Sequence, residues 1–119
     1  MRKLLLLALI PLLTGCAATV NLDPAPLAND PGCAEVSVRY PSSIGELTQR
    51  YTNAQATSAW GEPAVIIARC GLEPVEASTL SCVTAGGVDW LVDDSQAPSY
   101  RFISFARNPA VEVLSLIHI

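Results

Sequence analysis

Leu80-Ser81-Cys82-Val83-Thr84-Ala85-Gly86-Gly87-Val88-Asp89-Trp90-Leu91-Val92 reads as two extended arms about a turn. Residues 80–84 and 88–92 carry β-branched and aromatic side chains, and Ala85-Gly86-Gly87 is a short glycine connection of hairpin type. On the second arm Val88, Trp90 and Val92 share one face, while Asp89 and Leu91 share the other. This stretch sets the second half of the chain as antiparallel sheet.

Working outward, residues 64–70 (AVIIARC) form a β-branched run bounded by Pro63 and Gly71, long enough for a buried strand. Downstream, residues 93–99 hold two acids, Gln96 and Pro98 and read as a loop. Residues 100–105 and 110–114 are further strands joined through Arg107-Asn108-Pro109. Upstream, Asp30 suits a helix cap, and Pro31 suits the first helical position, where its missing N–H would be unpaired anyway. Cys33, Val36 and Tyr40 then fall on one helical face, and Pro41 stops the helix. Residues 47–52 can form a short strand, but residues 53–58 are polar and specify little. The expected fold class is α+β: a small antiparallel sheet of about four strands with an N-terminal helix packed on one face.

The first sixteen residues address the chain. Arg2 and Lys3 form a charged start, and residues 4–13 form an apolar run of ten interrupted only by Pro11. Hydrocarbon about 30 Å thick needs roughly 20 apolar residues to cross, so the run is a secretory signal and not a span. Leu13-Thr14-Gly15-Cys16 resembles the bacterial lipobox, in which the cysteine sulfur is diacylated and the chain is cut just before it. Small residues at positions 14 and 15 admit the peptidase, and only a thiol takes the diacylglyceryl group. Residues 1–15 are therefore expected to be a lipoprotein signal peptide. Cys16 is the expected lipidation site, holding the protein at the extracytoplasmic face of the cell membrane. Residues 16–29, with Pro24 and Pro26 and little apolar bulk, read as an extended tether. Two acyl chains give stable attachment at about 0.8 kcal/mol per buried methylene, so the lipid alone suffices.

Without residues 1–15 the chain has 104 residues, enough for one modest domain. Five arginines, no lysine and eleven acidic residues leave it a formal charge of −6. No basic patch or aromatic-basic interleaving is present, which argues against a nucleic-acid partner. Nor does the acidic balance help it onto anionic lipid.

Export permits disulfides. With Cys16 acylated, Cys33, Cys70 and Cys82 remain, an odd number. A Cys33–Cys70 bridge would close a loop worth about 4 kcal/mol and Cys70–Cys82 one worth about 3 kcal/mol, so energy does not separate them. Cys33–Cys70 is the expected pair because it ties helix to sheet. No CxxC or histidine cluster calls for a metal, and no cofactor is expected. Asp89, Asp93 and Asp94 lack the glycine and terminal glutamate of a calcium-binding EF-hand and read as a solvated hairpin end. No GxSxG or HExxH occurs, and Ser58, Ser78, Ser81 and Ser104 have no histidine partner, so an enzyme is not expected. Trp60 and Trp90 are either core residues, usual in so small a domain, or the walls of a ligand pocket.

Ala59-Trp60-Gly61-Glu62-Pro63, Arg69-Cys70-Gly71, Gly87-Val88-Asp89-Trp90 and Arg107-Asn108-Pro109-Ala110-Val111-Glu112-Val113 follow one another after the lipobox. In that order they resemble an actinobacterial lipoprotein family, the domain of unknown function 3515. The likeness covers roughly residues 30–113, and the arginine-only composition fits the high-GC genomes it implies. It implies no activity, cofactor or catalytic residue.

Two functions are open, of which the first is the expected one and the second its alternative. One is a non-enzymatic module that docks on an envelope protein or the cell wall through a sheet edge or apolar patch. The other is a small-ligand carrier with a pocket between helix and sheet near Trp60 and Trp90. A cavity of several hundred cubic ångström would distinguish the carrier.

The last six residues, Leu114-Ser115-Leu116-Ile117-His118-Ile119, match one reading frame of CTGTCTCTTATACACATC, the transposon end used in preparing sequencing libraries. The resemblance is clean through Val113, and its pattern continues beyond the last strand. Residues 114–119 are therefore expected to be an adapter-derived tail, and His118, the only histidine, carries no role. A read through the locus should find coding sequence other than adapter after Val113; a genuine stop codon after Ile119 would overturn this. Mass spectrometry of membrane-extracted protein should find Cys16 acylated at a new N-terminus. Unmodified protein in the medium, with Cys16→Ser behaving identically, would contradict it.

Overall fold

The computed structural model describes residues 18–117. Residues 1–15, expected above to be a signal peptide, the expected lipidation site Cys16, and His118 lie outside the described residues. In chain order the elements are α1 (Pro31–Ser37), β1 (Ser43–Ile44), β2 (Leu47–Arg50), β3 (Thr57–Trp60), β4 (Ile66–Leu72), β5 (Ser81–Ala85), β6 (Val88–Asp93), β7 (Tyr100–Ser104) and β8 (Ala110–Ser115).

Glycine closes the β5–β6 hairpin. Gly86 and Gly87 take φ of 60° and 75°, and Ala85 pairs with Val88 across the turn. Two successive positive φ values make the turn whose twist matches the flanking strands, and glycine adopts them without a Cβ clash. The hairpin continues through β7 to β8, giving one meander, and β1 to β4 form another. β8 lies between β4 and β7, so the sheet has the order β1-β2-β3-β4-β8-β7-β6-β5 with every pair antiparallel.

The register sorts side chains onto two faces. On one, Ala68 stands opposite Val113 and Cys70 opposite Val111. Trp60, Ile66 and Ala68 form the core there, joined by Tyr40, Ile44, Leu47, Val65 and Val113. α1 is fixed to this face by the Cys33–Cys70 disulfide, whose Cα atoms are 5.6 Å apart. On the opposite face Leu91, Ile103 and Ala110 cluster with Leu72, Val75 and Phe105.

Glu112 also lies on the second face, only 3% exposed. Its Oε1 accepts from Arg69 Nε of β4 at 2.9 Å, and its Oε2 accepts from Arg101 Nε of β7. One carboxylate thus joins three neighbouring strands. Arg69 also donates from Nη1 to the Asp23 carbonyl at 3.1 Å, extending the network to the N-terminal segment.

That segment, read as a tether, packs on the sheet from Val20 onward. Val20 bridges Thr52, Leu27 N–H donates to the Gly71 carbonyl at 2.7 Å, and Ala25 and Ala28 are buried. The approach is so close that a Cβ on Gly71, at φ +117°, would sit 2.4 Å from the Ala28 nitrogen. Glycine is required there both by conformation and by space.

The α+β expectation of about four strands under a helix is corrected. The sheet has eight strands, and α1 is the only helix among the described residues, seven residues long. The strands missed are short or built of small residues: β1 has two residues and β3 is TSAW, while β2, LTQR, falls within residues 47–52, read above as a possible short strand. In β3, Ser58 and Ala59 are both buried, on opposite faces, so no apolar-polar alternation marks the strand. Asp30 does cap α1, its side chain accepting from Gly32 N–H, but the helix ends at Ser37, before Tyr40 and Pro41. At under two turns it covers part of one face and forms no layer. Leu114 and Ser115, assigned above to the tail, pair in β8 with Ile67 and Ile66.

Glu112→Gln keeps the volume and removes the charge that two guanidiniums share. Breaking a buried pair costs about 3–5 kcal/mol. Arg69 and Arg101 are 26% and 36% exposed and can recover some hydration, so the expected loss is about 2–3 kcal/mol. Urea denaturation should show this as a lower midpoint with unchanged slope; an unmoved midpoint would contradict the role given to Glu112.

Candidate functional site

Trp60 is placed by its two ends. Its indole N–H donates to the Pro41 carbonyl at 2.9 Å, and Tyr40 meets it edge-on with ring centroids 6.0 Å apart at 84°. Tyr40 O–H donates to the Ala56 carbonyl at 3.1 Å, and burial raises its phenol to about 12. The phenol is therefore neutral across the physiological range and serves as a fixed donor. Together the two rings wall one end of an open cleft between α1 and the sheet.

The cleft has a volume of about 600 Å³. Val36 and Glu35 of α1 form one side, and Ile44, Ile66, Ala68, Val111 and Val113 continue the floor. Trp90 and Val88 of β6 close the far end. Trp60 is only 2% exposed and offers the cleft little more than a ring edge, whereas Trp90 is half-buried and lies open to it. Among the described residues the Trp90 indole N–H has no hydrogen-bond partner. The Ser104 hydroxyl at the cleft is already engaged, accepting from Val111 N–H at 2.8 Å.

Arg107-Asn108-Pro109 reaches over the cleft from the β7–β8 connection. Pro109 packs so tightly on α1 that a Cβ on Gly32 would come within 2.9 Å of its Cδ. Arg107 Nη2 donates to the Gly87 carbonyl at 3.3 Å, linking this connection to the β5–β6 turn. Three separate segments therefore meet at the mouth.

The structure brings both predicted pocket residues, Trp60 and Trp90, to this one cleft. Cys33 and Cys70 are bonded to each other beneath α1, and Cys82 is free and exposed on β5, away from the cleft lining. Of the carboxylates considered for chemistry, Asp89 accepts from Thr84 Oγ1 at 2.6 Å and Asp93 from Ser95 N–H at 3.0 Å. Hydrogen bonds from Ser95, side chain first and backbone second, hold the Asp93 carboxyl below its usual range. No group of three potential metal ligands occurs among the described residues. The arrangement is suited to holding a molecule by shape and apolar contact.

Sequence reasoning did not assign Arg39, Tyr40, Val36 or Arg107 to the site. Val36 and Tyr40 were visible as one helical face with Cys33, which is a signal of packing and not of a cavity. Arg107 reads as a loop residue until the β7–β8 connection is seen to fold back over α1.

The fold and cleft define a class, a single-sheet β domain with one short helix pinned across an apolar groove. A family described as a protein of unknown function, DUF3515, matches residues 13–115, and the chain belongs to that family. No curated protein and no solved structure matches it. All four stretches that carry the family resemblance lie at structurally committed positions. Trp60, Val88, Trp90 and residues 107–109 face the cleft, and Arg69, Cys70, Gly71 and Glu112 hold the sheet together.

Proposed function

We propose that the chain is a lipid-anchored envelope lipoprotein, of the actinobacterial type its sequence resembles, that binds a small, largely apolar ligand in the α1–sheet cleft. The anchor rests on the lipobox ending at Cys16, and the outward location rests on the signal sequence before it. Export is consistent with the Cys33–Cys70 disulfide. The observation that carries the ligand reading is the cleft of about 600 Å³ holding both tryptophans, a size within the range of small-molecule sites. No catalytic constellation is invoked: the role is capture, with shape and burial supplying affinity.

A second reading has one observation of its own. β5 is an outer strand of the sheet with all five residues exposed, and Val83 within it and Leu80 just before it present apolar side chains to solvent. An edge of this kind can accept a strand from an envelope partner. The cleft favours the first reading because it is concave and built from several segments.

Calorimetric titration of the full chain in phosphatidylcholine nanodiscs with decanol, blanked against empty nanodiscs, separates the two. Saturable binding is expected, weakened about ten-fold or more by Trp90→Ala through the loss of buried aromatic contact. Titration curves that match the blank, or that are unmoved by Trp90→Ala, would reject the cleft as a binding site.

A further inference from the structure

Five arginines lie among the described residues, and three are consumed by the fold. Arg69 and Arg101 share Glu112. Arg50 donates to the Gly61 carbonyl at 2.8 Å and to the Ala18 carbonyl at 2.7 Å. The remaining two, Arg39 and Arg107, both line the cleft. Arg39 has no side-chain partner among the described residues, and Arg107 makes one carbonyl contact at 3.3 Å, leaving most of its fork unused. In a chain of net charge −4 the two arginines left over by folding among the described residues both line its apolar groove.

We infer that the ligand of this cleft is an amphiphile with an apolar body and a singly charged carboxylate head, held by the two unengaged arginines of its lining, Arg39 and Arg107. The inference rests on the cleft being a ligand site and adds the ligand's chemistry. The floor offers aliphatic and aromatic surface that rewards an apolar chain, and guanidinium forks match the two oxygens of a carboxylate. Glu35 also stands on the lining, uncompensated by any ion pair among the described residues. Two arginines and one glutamate leave a single net positive charge on the lining, which suits a monoanion and opposes a doubly charged phosphate. The acidic surface elsewhere repels anions, so an anionic head is oriented as well as held.

The test compares decanoate, decanol and decyl phosphate at neutral pH, on the full chain in phosphatidylcholine nanodiscs. Decanoate should bind roughly ten-fold tighter than decanol, the size of one charge-assisted hydrogen bond. Arg39→Ala and Arg107→Ala should each erode that advantage, read as the ratio of decanoate to decanol affinity within each variant, and the double variant should abolish it. Decyl phosphate should bind no tighter than decanoate in the unaltered chain and gain on it in Glu35→Gln. Both arginines are exposed, so unchanged urea midpoints should accompany these losses. Equal binding of decanoate and decanol, or an advantage that survives in the double variant, would overturn the anionic-head inference while leaving the apolar cleft in place. Tighter binding of decyl phosphate by the unaltered chain would overturn the singly charged head. Failure of all three to bind would overturn the cleft reading and this inference together.

Discussion

A single buried carboxylate holds the two halves of this sheet in register. Glu112 sits on β8, between β4 of one meander and β7 of the other, and takes one arginine from each. Removing a carboxylate from water is expensive, so such a group persists only where its partners are fixed and complete. Here the backbone ladder fixes them, and the carboxylate in turn rules out slippage. A shift of β8 by one residue would carry Glu112 to the opposite face, among Ile66, Ala68 and Trp60, and would leave two guanidiniums unpaired. The opposite face of β4 is pinned covalently, through Cys70 to Cys33, by a bridge worth about 4 kcal/mol for a sequence separation of 37. β4 is therefore fastened on both faces within two consecutive residues, Arg69 and Cys70.

The cleft follows from the economy of α1. A helix of three or four turns laid along this face would have covered Trp90, Val88 and Val111. The seven residues between Pro31 and Ser37 reach only part of the way. Because the disulfide fixes the helix near Cys70, the uncovered remainder is left as an open groove. The return of Pro109 onto Gly32 then gives the groove a second wall without adding another element.

The sequence revealed most of what depends on local patterning. The β-branched run before Cys70, the Gly86-Gly87 turn and the capped start of α1 each act through neighbouring residues, and each forms where its pattern places it. Of the half-sheet from β1 to β3 only β2 was legible, as the possible strand at residues 47–52. Ser58 is buried through a hydrogen bond from Gln49 and Ala59 through close contact, neither of which leaves a hydrophobic signature. The short helix could not be foreseen either, since Pro41 supplies a stop but nothing local forces the earlier ending at Ser37. At the cleft, the tryptophans were legible as candidates because of their size. The arginines were not, because what marks Arg39 and Arg107 is that the other three are already engaged, and that is a property of the folded whole.

The placement of β8 bears on the order of assembly. Of the described strands it is the last to be synthesised, yet it occupies the middle of the sheet. β1 to β4 and β5 to β7 can each pair locally as they emerge, hairpin upon hairpin. Until β8 arrives, β4 and β7 remain open edges, and Arg69 and Arg101 face each other across the gap with no carboxylate between them. Pairings such as Ile66 with Ser115 span nearly half the chain, so they carry the loop-closure cost that makes non-local strands slow. A sheet without β8 would present two unpaired edges of the kind that template association, and like charge on Arg69 and Arg101 would oppose direct pairing of β4 with β7. The strand that completes the ion pairs is also the one that closes the sheet.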